Sequence, residues 1–358
     1  MIWWLAPNLG TQSGGLLMIR TYARLLNLSG RPSRVWFGPP APGYATADDL
    51  VARELALQPG DVLVVPETGG TKWSFLVGRT PVVMLVQGPD FTFSDSGFLD
   101  DHHEPYPGWP SVAAVIATSD TLGRFVSRVT RGELPVHSVP VIVDPDLFQP
   151  GRKERLIALM PRRRPEDLLA VVHLVRRSGR LPEGWDVTLI DAMTPAAVAT
   201  VLGRSAIFLS GAEREGFGLP GAEAMASGCH VIGFTGHGAS EYMTPDCSVA
   251  VAESDVVAMA DAVIDSAVRF DTDRAGWQEV VERGRERVLA RYRPDVVVER
   301  LAVTFDELMT EGSASLVREP ATIRHFQAYA PSTALVPRTY VAARSVLGRV
   351  KRRLQRRP

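Results

Sequence analysis

The sequence predicts an α/β protein of two doubly wound, Rossmann-like domains facing a central cleft. Three observations predict it. The chain has 358 residues, which at ~150 residues per domain suggests about two domains. Short apolar runs alternate with amphipathic stretches, the pattern of βαβ units around a parallel sheet. The alternation starts afresh after a Pro- and Asp-rich exit, Val139–Pro150 (VPVIVDPDLFQP).

In the first series, Ile2–Ala6, Val35–Phe37, Val62–Val65, Val82–Val86 and Val112–Thr118 read as buried strands. Gly15–Asn27, Ala47–Ala56 and Thr121–Val129 read as the helices between them. In the second series, Leu156–Met160, Val187–Asp191, Ala206–Ser210 and Val231–Phe234 are strands. Helices are expected at Pro165–Arg177, which has two acids in its first turn, at Pro195–Leu202 and at Pro220–Ser227. The last of these ends at Gly228, which suits a left-handed C-cap. Val256–Val268 and Trp277–Tyr292 are further helices, and Pro294 opens a final one to about Met309. The domains so drawn are 1–150 and 151–293. A helix over 294–311 returns toward the first, and 312–358 is an extension.

Hydrophobic residues make up 45% and charged residues 22%, ordinary globular values that exclude a disordered chain. Lys and Arg number 39 against 40 Asp and Glu, a net charge of −1. No nucleic-acid partner is expected from that balance. The neutrality hides an asymmetry. Residues 341–358 carry seven Arg/Lys and no acid, so the rest of the chain stands at −8. This tail fits a solvated segment, a helix packed on the first domain, or a peripheral contact with an anionic membrane, because Val346, Leu347, Val350 and Leu354 have helical spacing. Two cysteines, Cys229 and Cys247, give no disulfide framework. The N-terminal MIWWLAPNLG has no basic region and no useful apolar run, so no signal peptide is expected. A cytoplasmic protein is expected, peripheral at the membrane face if the tail binds there.

The chemistry concentrates in Ile207–Glu241, IFLSGAEREGFGLPGAEAMASGCHVIGFTGHGASE. Seven residues separate Glu215 from Glu223. A Gly-Phe-Gly turn lies between them, and Pro220 opens a helix with Glu223 expected in its first turn. Free N–H groups of Phe217, Gly218 and Leu219 at a helix start suit a diphosphate, and glycine admits close backbone approach. Two carboxylates flanking such a site suit the hydroxyl pairs of a sugar nucleotide.

This run closely resembles the signature of the retaining glycosyltransferases of family 4, which have the GT-B fold. The signature stands here as Glu215-Gly216-Phe217-Gly218-Leu219-Pro220, then Glu223-Ala224-Met225-Ala226, then Gly228. The resemblance spans most of 155–310. It implies that Glu215 contacts the transferred hexose, that Glu223 holds the ribose hydroxyls, and that the backbone from Phe217 to Leu219 faces hexose and diphosphate. Arg162, Arg163 and Arg164 stand where the family has an Arg and then a Lys for the pyrophosphate. Arg162 matches the arginine, and the lysine's part falls to Arg163 or Arg164. Gly14 and Gly15 match a glycine loop reaching the donor phosphates. Gln87 occupies the place of a usual histidine. Gln87, His102, His103 and His237 are the acceptor-side candidates, while His137 and His173 read as structural. Glu241 either orients its loop, touches the acceptor or caps a helix.

The implied reaction transfers a hexose from a nucleoside-diphosphate sugar to a hydroxyl of a glycan or glycolipid, with retention, without a metal and without a further cofactor. The leaving phosphate oxygen takes the acceptor proton, and Arg162 with its neighbours stabilises the departing charge. GDP-mannose, and so an α-mannosyltransferase of polysaccharide biosynthesis, is the leading donor on family frequency alone. UDP-glucose and UDP-N-acetylglucosamine are alternatives. A non-catalytic sugar-nucleotide-binding subunit is the competing function, favoured by the missing lysine and by Gln87.

Overall fold

The computed structural model describes residues 1–7, 13–37, 50–67, 80–93, 103–310 and 312–323. They form two compact units. One is Met1–Ile142 with the segment that begins at Pro294, and the other begins at Val143 and ends its described part at Arg293.

The first unit opens with β1 (Ile2–Leu5), α1 (Gly14–Leu28) and β2 (Ser33–Trp36). Then come β3 (Leu55–Leu57), β4 (Val62–Pro66), β5 (Val82–Val86), β6 (Val112–Ala117), α2 (Asp120–Val129) and β7 (Val136–Ser138). Six strands make one sheet in the order β2-β1-β4-β5-β6-β7, every pair parallel. All residues of β1, β4 and β5 are buried. That is why these strands read as unbroken apolar runs in the sequence. Ser13 caps α1 by accepting from the Leu16 N–H, and Ser119 caps α2 in the same way from Leu122.

The second unit runs β8 (Glu154–Leu159), α3 (Pro165–Arg177), β9 (Asp186–Leu189), α4 (Pro195–Arg204), β10 (Ser205–Glu215) and α5 (Leu219–Ala226). It continues through β11 (His230–His237), a 3₁₀ turn (Gly238–Glu241), β12 (Ser248–Ala250), α6 (Val256–Thr272) and α7 (Arg274–Tyr292). Its sheet has the order β12-β11-β10-β8-β9 and is wholly parallel. Strand order therefore reverses beside β8 and β10, and in the first unit beside β1 and β4. In open parallel sheets, ligands bind outside the carboxyl ends of the strands at such reversals. Lys153 ties α4 and α5 to the sheet. Its ammonium donates to the Leu202 carbonyl at 2.9 Å and the Ser227 carbonyl at 2.6 Å, both at helix C-terminal ends.

After α7, α8 (Pro294–Leu308) joins the first unit. Phe305 is fully buried with its ring 5.5 Å from that of Trp4. Arg31 grips Asp306 through two hydrogen bonds of 2.8 and 2.5 Å. His137 faces Glu307 at 3.4 Å.

Three expectations need correction. The helix expected over 47–56 falls partly on residues outside the described ones. Its described end is strand β3, with Leu55 and Leu57 buried and Ala56 between them half-buried. The extension after 312 is not merely appended, because β13 (Ala321–Ile323) pairs antiparallel with β3. A strand of three residues needs this distant partner, and local sequence cannot reveal one. Short β7 and β12 escaped the sequence reading for the same reason. Glu223 is the fifth residue of α5, in its second turn. The segment 341–358 lies outside the described residues. Among the described residues no helix is long and apolar enough to cross a membrane.

Burial ranks the α8 contacts. Phe305→Ala removes a fully buried ring and is expected to cost ~3–5 kcal/mol. Arg31→Ala breaks an ion pair whose Asp306 is 62% exposed and is expected to cost at most ~1 kcal/mol. Denaturant unfolding of the two variants checks the order.

Candidate active site

The second unit brings Arg162, Arg163 and Glu215 together at the reversal between β8 and β10. After β8 the chain turns through Pro161, Arg162 and Arg163. Arg164 then takes a left-handed conformation (φ 44°, ψ 49°) at the start of α3. The turn presses on β10 at Gly211. A Cβ there would lie 2.8 Å from Leu168 Cδ1 and 3.1 Å from the Arg163 carbonyl oxygen. Glycine at 211 is what lets this arginine turn sit against the strand.

β10 carries the carboxylate. Its pairing with β11 is regular from Ile207 to Ala212, shifts register, and resumes with Glu215 beside His237. The shift is bulge-like and re-aims the strand end. One Glu215 oxygen lies 3.7 Å from Arg163 Nε and 3.9 Å from an Arg162 terminal nitrogen. These are long ion pairs rather than hydrogen bonds. Glu215 is 14% exposed, whereas Arg162 and Arg163 are 59% and 45% exposed. Burial raises the Glu215 carboxyl above the usual range. Arg162 and Arg163 pull it down, and Glu213 pushes it up. Two guanidinium forks thus stand in solvent over a recessed carboxyl, with donors available to a diphosphate. Arg162, Arg163, Glu215, Gly218, Pro220 and Gly221 line one cavity with Met160 and residues of β10.

The three arginines do not act together. Arg164 turns away, held by Glu253 and at 3.4 Å by Asp167, with its guanidinium 4.9 Å from the Phe234 ring centre. A donor-binding role for Arg164 does not fit this placement. Of Arg163 and Arg164, only Arg163 lies near Glu215, at 3.7 Å.

Between the two glutamates, Gly218 is left-handed (φ 84°, ψ 49°), and no side chain caps the start of α5. Phe217 is buried, its ring centre 4.8 Å from that of Tyr292 and 5.4 Å from that of Tyr242. Leu219 is half-buried. Glu223 is mostly enclosed, and no hydrogen bond to its carboxyl is found among the described residues. Desolvation alone pushes it up to about 8. His237 is exposed and strained (φ 79°), so it flanks Glu215 at the strand end. Glu241, 5% exposed, faces Arg291 at 3.9 Å and accepts a 3.4 Å hydrogen bond from the Tyr292 hydroxyl. These contacts join the Gly238–Glu241 turn to the end of α7.

In the first unit, Gly14 and Gly15 form the start of α1. Gly14 has open space around it, whereas a Cβ on Gly15 would fall 2.6 Å from Gln87 Oε1. The Gln87 side-chain amide donates to the Gly15 carbonyl at 3.1 Å. Sequence reasoning missed Glu67. It directly follows β4 and is buried, and one of its oxygens accepts from the Gln87 and Gly88 N–H groups at 2.7 and 3.1 Å. Burial lifts it to about 8 against the pull of those bonds. An acid closing the run Val62–Pro66 was the available signal. His103 is exposed, and His102 lies outside the described residues. Among the described residues no three His, Cys, Asp or Glu side chains gather to hold a metal ion.

Residues 161–267 match the family described as glycosyl transferases group 1. The matched segment holds the arginine turn, both glutamates and the Gly236–Glu241 loop. An alpha-1,6-glucosyltransferase of Actinobacillus pleuropneumoniae serotype 7 (strain AP76) is 30% identical over 204 residues. That alignment covers 52% of this chain and 57% of the relative, so the chain spans little more than half of it. Among solved structures, sucrose-phosphate synthase from Thermosynechococcus elongatus has a TM-score of 0.61 at 16% identity, covering 86% of this chain and 98% of that one. HepE of Anabaena, in complex with UDP and glucose, has a TM-score of 0.60 at 13% identity, covering 86% and 99%. The fold is GT-B, with one Rossmann-like sheet in each unit.

The enclosed Glu223 makes a prediction about pH. Unfolded, it ionises near the ordinary glutamate value, and folded, near 8. Its folded-state preference for the proton therefore stabilises fully below about pH 4.5 and is lost as pH rises to 8. Glu223→Gln is expected to be more stable than wild type at pH 8, by about 1–3 kcal/mol, with the gain vanishing near pH 4.5. Melting curves at both pH values check this.

Proposed function

We propose that the protein transfers a hexose from a nucleoside-diphosphate sugar to a hydroxyl of a glycan or glycolipid, with retention of anomeric configuration and without a resident metal. The observation that carries this reading is that Arg162 and Arg163 both lie within 4 Å of one Glu215 oxygen, at the carboxyl ends of β8 and β10. Arg162 and Arg163 neutralise the diphosphate and stabilise the charge that grows on it as the glycosidic bond breaks. Glu215 accepts from hexose hydroxyls, and Glu223 from the ribose pair. The backbone of Phe217, Gly218 and Leu219 lies along the donor. The departing phosphate oxygen takes the proton of the acceptor hydroxyl, so no protein nucleophile is required. Gly14 and Gly15 serve the donor phosphates from the first unit. Gln87, His103 and His237 serve the acceptor side.

The relative named for glucose transfer and the neighbour that holds UDP and glucose support UDP-glucose as the donor to test beside GDP-mannose. The basic segment 341–358 is the candidate for contact with an anionic membrane. Its deletion is then expected to abolish binding to vesicles that contain anionic lipid.

The test is transfer from a panel of nucleoside-diphosphate sugars to glycan and glycolipid acceptors, with and without EDTA. Glu215→Gln and the double variant Arg162→Ala/Arg163→Ala are each expected to lower kcat at least ~100-fold, the scale of one lost transition-state contact. The product anomer is read by NMR. Wild-type rates in both variants would overturn the roles given to Glu215, Arg162 and Arg163, whereas tight nucleotide binding by a protein that transfers nothing would leave a non-catalytic binding subunit as the function.

A further inference from the structure

We infer that Tyr242 is a positioning residue: its hydroxyl holds the Gly218 carbonyl and so aims the Gly218–Leu219 peptide within the donor loop. The inference deepens the reading of residues 162–223 as a donor site and rests on it. Tyr242 follows the 3₁₀ turn Gly238–Glu241 and is fully buried. Its hydroxyl donates to the Gly218 oxygen, which also accepts from the Gly221 N–H at 3.1 Å. A carbonyl has two lone pairs, so both bonds are made at once.

The consequence follows from peptide geometry. A trans peptide is planar, with its C=O and N–H pointing in opposite directions. Holding the Gly218 carbonyl toward Tyr242 fixes the Leu219 N–H on the side away from Tyr242. Gly218 sits in a left-handed conformation and has no side chain of its own to cap the helix, so its carbonyl is held by the Tyr242 hydroxyl and the Gly221 N–H. The loop is shaped around this one oxygen. A Cβ on Gly221 would come 2.7 Å from the Tyr242 hydroxyl, and one on Gly218 would come 3.0 Å from it.

The anchor is itself fixed. Its ring packs against those of Phe217 and Tyr292, with centres 5.4 and 6.4 Å away. Behind it, a Cβ on Gly238 would fall 2.3 Å from the Phe217 nitrogen, so the 3₁₀ turn and the donor loop meet backbone to backbone. The charged and titratable groups around the phenol are Glu215, Glu223 and Tyr292. Together with burial they keep it protonated well above the ordinary tyrosine value, so it remains a donor across the working pH range.

Tyr242→Phe keeps the ring and removes only the hydroxyl. Gly221→Ala keeps the hydroxyl and displaces it, in a helix where alanine is the better former. Both are measured by hydrogen exchange of the peptide spanning 216–221, by UDP affinity, and by kcat and KM with the best donor of the panel. In each variant, exchange of that peptide is expected to quicken at least tenfold, kcat to fall at least tenfold, and acceptor KM to stay within twofold. Loss of packing alone would lower the melting temperature and leave kcat unchanged. Unchanged exchange in Tyr242→Phe, or quickened exchange with kcat and UDP affinity within twofold of wild type, overturns the inference. A wild-type protein that neither transfers sugar nor binds UDP refutes the proposed function instead, and exchange still decides whether Tyr242 holds the loop.

Discussion

The candidate site depends on backbone-to-backbone contact between β11's outgoing turn and the loop that follows β10. Gly238 meets Gly216 and Phe217 at distances that no side chain tolerates. This contact sets where the chain leaves β10, hence where Glu215 ends and where α5 begins. The register shift between Ala212 and Glu215 is its counterpart within the sheet. A strand that simply continued would carry Glu215 along its pleat. The shifted one delivers it beside His237 and beneath Arg162 and Arg163.

Electrostatics follow from that placement. The recessed Glu215 lies under two exposed guanidinium groups, so its charge is opposed by burial and favoured by the arginines. Glu223 has no such counterweight and holds its proton to about pH 8. Two carboxyls eight positions apart thus have different environments, the condition under which similar groups take different roles. Arg164 shows the converse. Its neighbours Glu253 and Asp167 engage it, and it serves the start of α3 instead of the cavity.

The first unit repeats the device with different residues. Glu67 closes β4 and grips the backbone after β5, and Gln87 then reaches the Gly15 carbonyl. The C-terminal ends of adjacent strands are tied to one another and to the start of α1. Phe305 and Trp4 bring α8 back to this unit, and β13 adds to β3, so the end of the described chain belongs to the fold of its beginning.

Much of this was legible in the sequence. Unbroken apolar runs identified the buried parallel strands, because a strand covered on both faces has no polar side to show. Pro220 and Gly228 marked the limits of α5, since proline tolerates a helix start and glycine a left-handed end. The spacing of Glu215 and Glu223 around Gly-Phe-Gly pointed to the site. What the sequence did not determine are the interactions between residues far apart in the chain. The pairing of β3 with β13 joins segments over 260 positions apart, and neither strand is long enough to form alone. Whether Arg163 or Arg164 faces Glu215 turned on one left-handed residue. The roles of Glu67 and Tyr242 arise only when loops from separate strands meet. Local patterns fix which elements form, since hydrophobic periodicity and caps act over a few residues. Close packing between elements decides which side chains share a site, because that depends on distances no local pattern encodes.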